Sequence, residues 1–517
     1  MTGGEALVET LLASGINVCF ANPGTSEMSF VAALDANPDM RCVLCLFEGG
    51  VTGAADGYAR MTALPAVTLL HLGPGFGNGW SNLHNARKAG SPVLNVVGDH
   101  ADYHLKYDAP LQSDLDGVAR SVSNWTRRID SVDDIARDTA AGVKAAKSNN
   151  GQIATLILPA DVAWSDTGGA ASQVAEAPRA LHRPDADRVR ATAARLREPG
   201  TALLVSAAAL YGELADVAGR IKARTGCELL APFFAPRVAR GEGAVEMAQM
   251  RYQLGQNTEF LAKFKRIIYV GETPPVTFFA YPGKPSTPDA PGTDIERLCF
   301  GDWDIEWTLH ELARAAGVDG SETIDRVELN LPSPPAPGPL TTDAIGRVLA
   351  LQCPENAIMV NEALTAGHAI WPHVDKSRAH DRLKNTGGSI GMGLPAGVGA
   401  AIACPDRKVV VVSGDGSAMY QLQSLWTAAR EKLDITVIII ANGGYRILHE
   451  ELAALGVAPP GRNAQRMFDI VEPDLDWVSL AKGHGVEGLR AETVEDFDAA
   501  LKIALDSPEP FLVEAVV

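Results

Sequence analysis

Short apolar runs alternate with amphipathic stretches along most of the chain. In residues 1–165, five runs have the length and composition of buried strands: Val18–Ala21, Cys42–Phe47, Ala66–His71, Val93–Val97 and Ala154–Leu158. Helical periodicity occurs between them, as at Gly53–Met61 and Ser81–Ala89. This alternation is typical of a parallel sheet covered by helices on both faces.

Two stretches of unusual composition divide the chain into three predicted domains. The connector TGGAASQVAEAPRALHRP separates a first domain, residues 1–165, from a second domain, residues 183–330, with strands near TALLVS, CELLAPF, RIIYVG and ERLCFG. The Pro-rich segment LPSPPAPGPL is predicted to be a stiff linker into a third domain, residues 340–517. A length of 517 residues fits three domains of about 150 residues each. The predicted fold class is therefore α/β, with three doubly wound parallel-sheet domains.

The composition of the chain argues against some classes of binding partner. The formal net charge of −18 argues against nucleic acid or an anionic membrane surface. No apolar run reaches membrane-spanning length, and the first residues read as a capped helix followed by a strand, so we expect a cytoplasmic protein. Cys42-Val-Leu-Cys45 has the spacing of a redox or zinc pair, but it lies in an apolar strand without a second pair. Buried, reduced thiols are the preferred interpretation.

Polar turns follow two neighbouring apolar strands of the third domain. The strand KVVVVS runs into Gly414-Asp415-Gly416-Ser417, and the strand ITVIIIA runs into Asn442-Gly443-Gly444-Tyr445, with a predicted helix over residues 417–432 between them. A strand–helix–strand crossover places both turns at the carboxyl edge of the sheet. We therefore expect Asp415 and Asn442 to be neighbours.

The side chains of these turns favour a metal-bound diphosphate. One carboxylate, one amide oxygen and the nearby carbonyl groups are hard oxygen donors, too few for an all-protein cage, which suits Mg²⁺ that also binds phosphate oxygens. The positive end of the helix predicted at Ser417 would favour the same anion. Two ordinary turns of an α/β domain are the alternative. Because both turns occur in one strand–helix–strand unit, the diphosphate interpretation is preferred.

At this point the sequence G-D-G-S-A-M-Y…A-N-G-G-Y resembles the signature of the thiamine diphosphate enzymes. The resemblance implies that Mg²⁺ is held by Asp415, by the side chain of Asn442 and by the carbonyl of Gly444. It also implies cofactor contacts from Gly414, Gly416, Ser417, Asn442 and Tyr445. Ala441 departs from the family, which often has Asn there, but the second position, which usually binds the metal, is kept as Asn442.

A second resemblance concerns Glu48, which follows the strand VLCLF. The string E-G-G-V-T-G-A-A-D-G-Y-A-R is similar to the family segment whose Glu hydrogen-bonds a ring nitrogen of the cofactor's pyrimidine. Glu48 is thereby implied as a catalytic and cofactor-binding residue. The alternative is an acid that complements the amino end of a helix.

A third segment, G-G-S-I-G-M-G-L-P-A-G, is similar to the one that supports the bent conformation of the cofactor. Gly388 and Ile390 occupy the corresponding cofactor-binding positions, and ordinary packing of Ile390 is the alternative. The three segments imply a pyrimidine-binding first domain, a central domain and a third domain that binds diphosphate and Mg²⁺. In the family the two halves of the site come from different subunits, which implies a homodimer or a dimer of dimers.

Two further segments indicate the branch of the family. Asn22-Pro-Gly-Thr-Ser-Glu27 and Leu70-His-Leu-Gly-Pro-Gly75 resemble benzoylformate decarboxylase, in which a Ser or Thr and a His face the substrate carboxylate. Thr25 and His71 take those catalytic positions. The following G-P-G-F-G-N is also similar to acetolactate synthases, which lack the His. His71 therefore favours the decarboxylase branch, with a structural His as the alternative.

The second domain departs from the decarboxylase pattern. Benzoylformate decarboxylases have another active-site His there, whereas the comparable segment GETPPVTFFAYPG offers Phe278 or Phe279. The Arg-Phe-Asp type segment of FAD-containing acetolactate synthases and a G-x-G-x-x-G after a strand are both missing from this domain, so FAD is not expected. The apolar residues predicted to line a substrate pocket for an aryl or branched group are Phe76, Trp80, Phe278, Phe279 and Leu448.

The sequence thus predicts an enzyme dependent on thiamine diphosphate and Mg²⁺ that acts on small molecules. The preferred reaction is non-oxidative decarboxylation of a 2-oxo acid, with ligation of the remaining fragment to an aldehyde or ketone. An acetolactate synthase-like carboligase that makes acetohydroxy acids from pyruvate is the alternative. A regulatory subunit that binds the cofactor without turnover is a third hypothesis, against which the presence of Glu48 argues.

Overall fold

The computed structural model describes residues 1–169, 172–271 and 274–517, whose main strands form three sheets. The chain divides into two compact units. The first unit comprises Met1–Pro178, Leu331–Asp375 and Asn385–Val517, and the second comprises Arg179–Asn330 and Lys376–Lys384. The predicted α/β class with three parallel-sheet domains is confirmed, and the first unit contains the whole first sheet together with five strands of the third.

The first sheet has six parallel strands in the order β2-β1-β3-β4-β6-β5. The strands are β1 (Val18–Asn22), β2 (Arg41–Leu44), β3 (Ala66–Leu70), β4 (Val93–Asp99), β5 (Trp125–Arg128) and β6 (Ile153–Pro159). Its helices are α1 (Gly3–Ala13), α2 (Met28–Asp35), α3 (Glu48–Thr62), α4 (Leu72–Ala89), α5 (Leu115–Val122), α6 (Ile135–Lys147) and α7 (Ala160–Trp164). Every residue of β4 and β6 is buried, as expected for strands covered on both faces. The edge strand β5 was not predicted because its residues are mostly polar and only partly buried.

The second unit contains a five-stranded parallel sheet in the order β10-β8-β7-β11-β12. The strands in this part of the chain are β7 (Thr201–Val205), β8 (Glu228–Ala231), β9 (Arg237–Arg240), β10 (Ala248–Gln249), β11 (Arg266–Val270) and β12 (Asp294–Cys299). The helices are α8 (Ala186–Arg195), α9 (Gly212–Thr225), α10 (Leu254–Leu261) and α11 (Ile305–Ala315). The four strands predicted for this domain are confirmed as β7, β8, β11 and β12.

The remaining strands are β13 (Ala357–Glu362), β14 (His380–Lys384), β15 (Val409–Gly414), β16 (Ile435–Ala441), β17 (Glu487–Ala491) and β18 (Phe511–Val516). Five of them lie in the first unit, in the order β17-β18-β16-β15-β13. The helices are α12 (Thr342–Gln352), α13 (Gly367–Val374), α14 (Gly393–Ala403), α15 (Asp415–Ala418), α16 (Ser424–Arg430), α17 (Arg446–Ala454), α18 (Arg462–Phe468), α19 (Trp477–Gly483) and α20 (Val494–Asp506). Parallel pairing of β15 with β16 brings the two polar turns to one edge, as predicted.

Strand β14 does not belong to the unit that contains its sequence neighbours. It pairs antiparallel with β9 of the second unit, and Arg237 forms an ion pair with Asp381 across the two strands at 3.0 Å. The sequence prediction had placed residues 376–384 in the third domain. Pairing between two strands that are far apart in the sequence produces no local pattern, so the sequence could not predict it.

The single helix predicted over residues 417–432 is wrong. The chain instead forms α15, which begins at Asp415, and α16, which begins at Ser424. Between them the buried side chain of Gln421 packs so closely against α3 that a Cβ atom on Gly49 would overlap its amide. This tertiary contact competes with helical continuation, which the local apolar periodicity could not show.

Helices α3 and α14 pack backbone against backbone. A Cβ atom on Gly57 would overlap the carbonyl oxygen of Ala396, and one on Gly399 would overlap that of Ala54. Small residues at these positions therefore allow the two helices to come this close. Since α3 begins at Glu48 and α14 begins shortly after Ile390, the contact joins two segments that resemble cofactor-binding segments.

The thiol prediction is correct for Cys45 but wrong for Cys42. Cys45 is buried, and burial raises its pKa to about 12. Cys42 is exposed because its side chain lies on the edge strand β2. Within the described ranges, no helix is both long and apolar enough to cross a bilayer.

Candidate active site

The carboxylate of Asp415 lies between the two polar turns. Its Oδ2 atom accepts hydrogen bonds from the backbone N–H groups of Asn442 at 3.0 Å and Gly443 at 2.7 Å. Oδ1 accepts from the N–H of Gly416 at 2.8 Å. Asp415 and Asn442 are therefore neighbours, as the strand order predicted.

The oxygen atoms of these turns fit a hard divalent cation. Burial raises the pKa of Asp415, and the hydrogen bonds from the three backbone N–H groups oppose that rise. A cation beside this buried carboxylate would compensate for the water that it has lost. In the part of the chain that the structure describes, no group of three or more His, Cys, Asp or Glu could hold a metal. The oxygens of these two turns come instead from one carboxylate, one side-chain amide and one backbone carbonyl. Such a set is typical of Mg²⁺ that also binds phosphate oxygens.

Glycines shape the surroundings of these oxygens. A Cβ atom on Gly416 would lie 2.5 Å from the ring of Tyr445, so the ring packs directly on the backbone of α15. Gly443 has a φ of +67°, a conformation that glycine adopts without strain. Gly444 donates its N–H to Oδ1 of Asn442 at 3.1 Å, which fixes the orientation of that side chain. Gly414 ends β15, and Ser417 lies buried in α15.

The segment around Ile390 is also held by hydrogen bonds. Gly388 has a φ of +78° and donates its N–H to Oδ1 of Asn385 at 2.7 Å. The carbonyl of Ser389 accepts from Nδ2 of Asn85 on α4 at 2.8 Å. Ile390 is partly exposed, so its side chain is accessible to a ligand.

Glu48 is the first residue of α3, and its carboxylate is partly accessible. Oε2 accepts a hydrogen bond from Nδ2 of Asn78 at 3.0 Å. A Cβ atom on Gly75 would be 3.0 Å from Oε1. The carboxylate is thus oriented by α4, the helix that begins directly after His71.

His71 forms a close pair with Glu27. Its Nδ1 atom lies 2.8 Å from Oε2 of Glu27, whose side chain is only 1% exposed, while the imidazole is 20% exposed. Ser26 donates its hydroxyl to Oε1 of Glu27 at 2.5 Å and lies 3.3 Å from Nδ1 of His71. A Cβ atom on Gly24 would overlap the imidazole, so the ring packs directly on the backbone of the turn that follows β1. Thr25, predicted together with His71 to face the substrate carboxylate, is exposed, and the side chain of the same turn that contacts the imidazole is Ser26.

Leu72 has unusual backbone geometry directly after His71. Its φ is +43°, which is rare for a large side chain, and the residue is fully buried. Strain of this kind is concentrated at functional positions, where the surrounding structure imposes it. The segment G-P-G-F-G-N forms the first turns of α4. Pro is compatible with the first turn of a helix because its missing N–H has no intrahelical partner there.

The predicted pocket residues have different environments. Phe76 has no accessible surface, so it is a core residue and does not line an open pocket, contrary to the prediction. Trp80 is exposed, donates Nε1–H to Ser121 at 2.8 Å and stacks on His84, and Leu448 is exposed on α17. In the second unit, Phe278 and Phe279 are exposed parts of an aromatic group that includes Phe234 and Tyr252. Glu272 and Thr273 of the same predicted segment lie outside the described residues.

Sequence reasoning assigned no role to two buried acids near these segments, Glu27 and Glu362. Glu27 belongs to the quoted Asn-Pro-Gly-Thr-Ser-Glu segment, but its position in the sequence does not show that it faces His71. Glu362 ends β13 beside Ser413 of β15. The rule that drew attention to Asp415, a polar residue at the carboxyl end of a buried strand, would also have identified Glu362.

Comparison with known families agrees with the motifs. Residues 1–120 match the model described as thiamine pyrophosphate enzyme, N-terminal TPP binding domain. Residues 365–515 match the model described as thiamine pyrophosphate enzyme, C-terminal TPP binding domain. Thiamine pyrophosphate is another name for thiamine diphosphate.

Full-length relatives carry names from both branches. A Mycobacterium tuberculosis protein provisionally named acetolactate synthase large subunit IlvX is 45% identical over 519 residues, covering 100% of this chain and 99% of the relative. Benzoylformate decarboxylase of Pseudomonas aeruginosa is 29% identical over 540 residues, covering 99% of this chain and 98% of the relative. Among solved structures, a 4-hydroxybenzoylformate decarboxylase of Rhodococcus jostii has a TM-score of 0.87 at 24% identity, covering 100% of this chain and 99% of that one.

Proposed function

Since this chain belongs to the thiamine pyrophosphate enzymes, we propose that it catalyses non-oxidative decarboxylation of a 2-oxo acid and ligates the remaining fragment to a carbonyl acceptor. When bound, the cofactor supplies an electron sink for cleavage of the bond next to the carbonyl. The residues of the chain would bind this cofactor, orient the substrate and move protons.

The assignments for cofactor binding rest on three segments. Asp415, Asn442 and the carbonyl of Gly444 would hold Mg²⁺, and the start of α15 would face the diphosphate. Ile390, whose side chain is partly exposed, would pack against the bound cofactor. Glu48, oriented by Asn78, would hydrogen-bond the cofactor's pyrimidine ring.

The pairing of His71 with Glu27 is the observation that carries the decarboxylase assignment. In this pair we assign the donor role to the Nδ1–H of His71 and the acceptor role to the carboxylate of Glu27. This leaves Nε2 as the ring nitrogen that can receive or donate a proton at the substrate. A partly exposed, carboxylate-oriented imidazole is suited to general acid–base work, whereas a purely structural His needs no exposure.

An acetolactate synthase-like carboligase remains the second candidate, favoured by the name of the 45% identical relative. The test incubates the protein with thiamine diphosphate, Mg²⁺ and a panel of aryl and alkyl 2-oxo acids, and follows CO₂ and organic product together. Aldehyde or 2-hydroxy ketone from an aryl 2-oxo acid supports the proposal. Acetolactate from pyruvate, without turnover of aryl acids, would support the synthase.

Replacing His71 separates the two branches more directly. His71→Ala should lower decarboxylation about 10²-fold or more, the usual contribution of a positioned acid–base group. Ligation that starts from an aldehyde should be affected less, since no substrate carboxylate has to be held. If both reactions are unchanged, His71 is structural and the synthase becomes the better assignment.

We also propose a cytoplasmic homodimer or dimer of dimers. The net charge of −18 and the small-molecule chemistry support a cytoplasmic enzyme without nucleic-acid or membrane partners. Light scattering of the purified protein, with and without cofactor, tests the oligomeric state.

A further inference from the structure

The side chain of Glu362 is only 1% exposed, yet both of its carboxylate oxygens are fully engaged. Oε1 accepts hydrogen bonds from the backbone N–H groups of Gly391 and Met392, each at 2.8 Å. Oε2 accepts from the N–H of Gly393 at 3.0 Å and from the hydroxyl of Ser413 at 3.1 Å. Four donors therefore converge on one buried carboxylate.

These donors belong to two segments that are far apart in the sequence. Gly391, Met392 and Gly393 directly follow Ile390 and lead into α14. Ser413 directly precedes Gly414-Asp415 and is the register partner of Glu362 across β13 and β15. One carboxylate thus contacts both the segment that contains Ile390 and the strand end that precedes the proposed diphosphate turn.

The first of these segments has few side chains that could hold it in place. Residues 387–393 include four glycines, whose conformational freedom makes ordering costly. Gly391 has a φ of +97°, and a Cβ atom on Gly393 would lie 2.8 Å from Oε2 of Glu362. Glycine is thus needed for close approach to the carboxylate, and the carboxylate supplies the hydrogen bonds that the segment cannot make by itself.

A buried carboxylate has an energetic cost, so its presence here needs a reason. Burial raises the pKa of Glu362, although the three backbone N–H groups and Ser413 oppose the rise. The amino end of α14 supplies partial positive charge in place of a basic side chain. Replacing such a network by apolar packing would often be neutral or stabilising.

We propose that Glu362 is a positioning residue that fixes residues 387–393 relative to the turn 414–417 before the cofactor binds. The inference rests on the proposed function only for the roles of these two segments. Without the carboxylate, the glycine-rich segment would become ordered only when thiamine diphosphate binds. The free energy of that ordering would make binding less favourable and so lower the affinity.

The test compares Glu362→Gln with the wild-type protein. The amide has nearly the same shape as the carboxylate, but its NH₂ group replaces one of the two acceptor oxygens. The backbone N–H groups that donate to that oxygen in the wild type would then be buried without an acceptor. Hydrogen exchange in residues 387–393 of the cofactor-free protein should rise about tenfold or more. The dissociation constant for thiamine diphosphate with Mg²⁺, measured by calorimetry, should rise by a similar factor. Saturating cofactor should restore much of kcat.

Glu514→Gln is the matched control. Glu514 is also 1% exposed and lies on β18 of the same sheet, where its Oε1 atom accepts from Arg490 at 3.0 Å. Its replacement measures the general effect of removing a buried carboxylate, and exchange in 387–393 and cofactor affinity should stay at wild-type values. Equal changes in both variants would overturn the proposal, as would wild-type exchange and affinity in Glu362→Gln.

Ser413→Ala serves if Glu362→Gln fails to fold. It removes one of the four donors, so it should raise exchange in 387–393 and weaken cofactor binding in the same direction by a smaller factor. Wild-type behaviour of this variant would then reject the proposal. If the wild-type protein itself does not bind thiamine diphosphate, the proposed function fails, whereas the exchange measurement still decides whether Glu362 fixes the segment.

Discussion

The Oε2 atom of Glu27 lies 2.8 Å from Nδ1 of His71 and receives the N–H of Gly24 at 2.7 Å as well. The same carboxylate therefore shapes the turn that contains Thr25 and orients the imidazole at the end of β3. Because Glu27 is buried and His71 is partly exposed, the carboxylate contacts the imidazole on its buried side, away from solvent.

Glu27→Gln should reduce decarboxylation of the 2-oxo acid about 10- to 100-fold, less than complete loss of an acid–base group. The amide can still accept a hydrogen bond but no longer fixes the proton on Nδ1. Nitrogen-15 NMR of histidine-labelled protein, with His71→Ala to assign the signal, should show one ring tautomer in the wild type and a mixture in the variant. An unchanged tautomer together with unchanged turnover would contradict this prediction.

Glu48→Gln should still bind thiamine diphosphate and assemble like the wild type, while losing turnover by about 10²-fold or more. The reason is that Glu48 is assigned to the ring of the cofactor and not to its diphosphate. Calorimetry measures binding, and CO₂ release measures turnover. Activity within a few-fold of the wild type would exclude the assigned role.

Asp415→Asn should weaken cofactor binding in a manner that added Mg²⁺ only partly reverses. The amide oxygen can keep part of the backbone contacts of Asp415, but the negative charge that attracts the metal is lost. Binding isotherms at increasing Mg²⁺ concentration provide the measurement. Thermal unfolding of the cofactor-free variant is the control, since a large loss of stability would show that the backbone contacts also failed.

Gly399→Ala should destabilise the protein by about 1–3 kcal/mol, because the added methyl group would overlap the carbonyl oxygen of Ala54 between tightly packed helices. Gly77→Ala on α4 is the comparison: apart from its chain neighbours and the adjacent backbone of its own helix, no atom lies within 4 Å of the added Cβ. There the lower entropy of the unfolded chain should stabilise the protein by about 0.4–1 kcal/mol. Urea unfolding of both variants checks whether their effects have opposite signs.

The contribution of Glu514 to stability should depend on pH. Burial is the main cause that raises its pKa above the ordinary value of 4.5. The folded state thus favours the protonated form, and the stabilisation that this gives is present below pH 4.5 and lost as the pH rises through the folded-state pKa. The melting temperature of Glu514→Gln minus that of the wild type should therefore increase between pH 4.5 and pH 7. A constant difference across this range would show that Glu514 does not titrate abnormally.

Features set by local pattern could be predicted from the sequence. Buried strands are continuous apolar runs, and the crossover rule places Asp415 beside Asn442 without any knowledge of side-chain contacts. Features set by tertiary contacts could not. The break in the helix at Gln421, the pairing of β14 with β9 and the burial of Phe76 all depend on residues that are distant in the sequence. The pairing of Glu27 with His71 belongs to the same group, because a quoted motif gives residue types but not the direction in which each side chain points.

The close contact between α3 and α14 also has a consequence for biosynthesis. Helix α3 ends at Thr62 and α14 begins at Gly393, so most of the chain must leave the ribosome before the two helices can meet. Until then the glycine-rich face of α3 lacks the helix that packs against it. Contacts between such distant parts of a chain form slowly. The first sheet can fold early, but its completed surface depends on the last third of the polypeptide. Translation that stops before α14 should therefore leave an incomplete protein that chaperones retain or proteases remove.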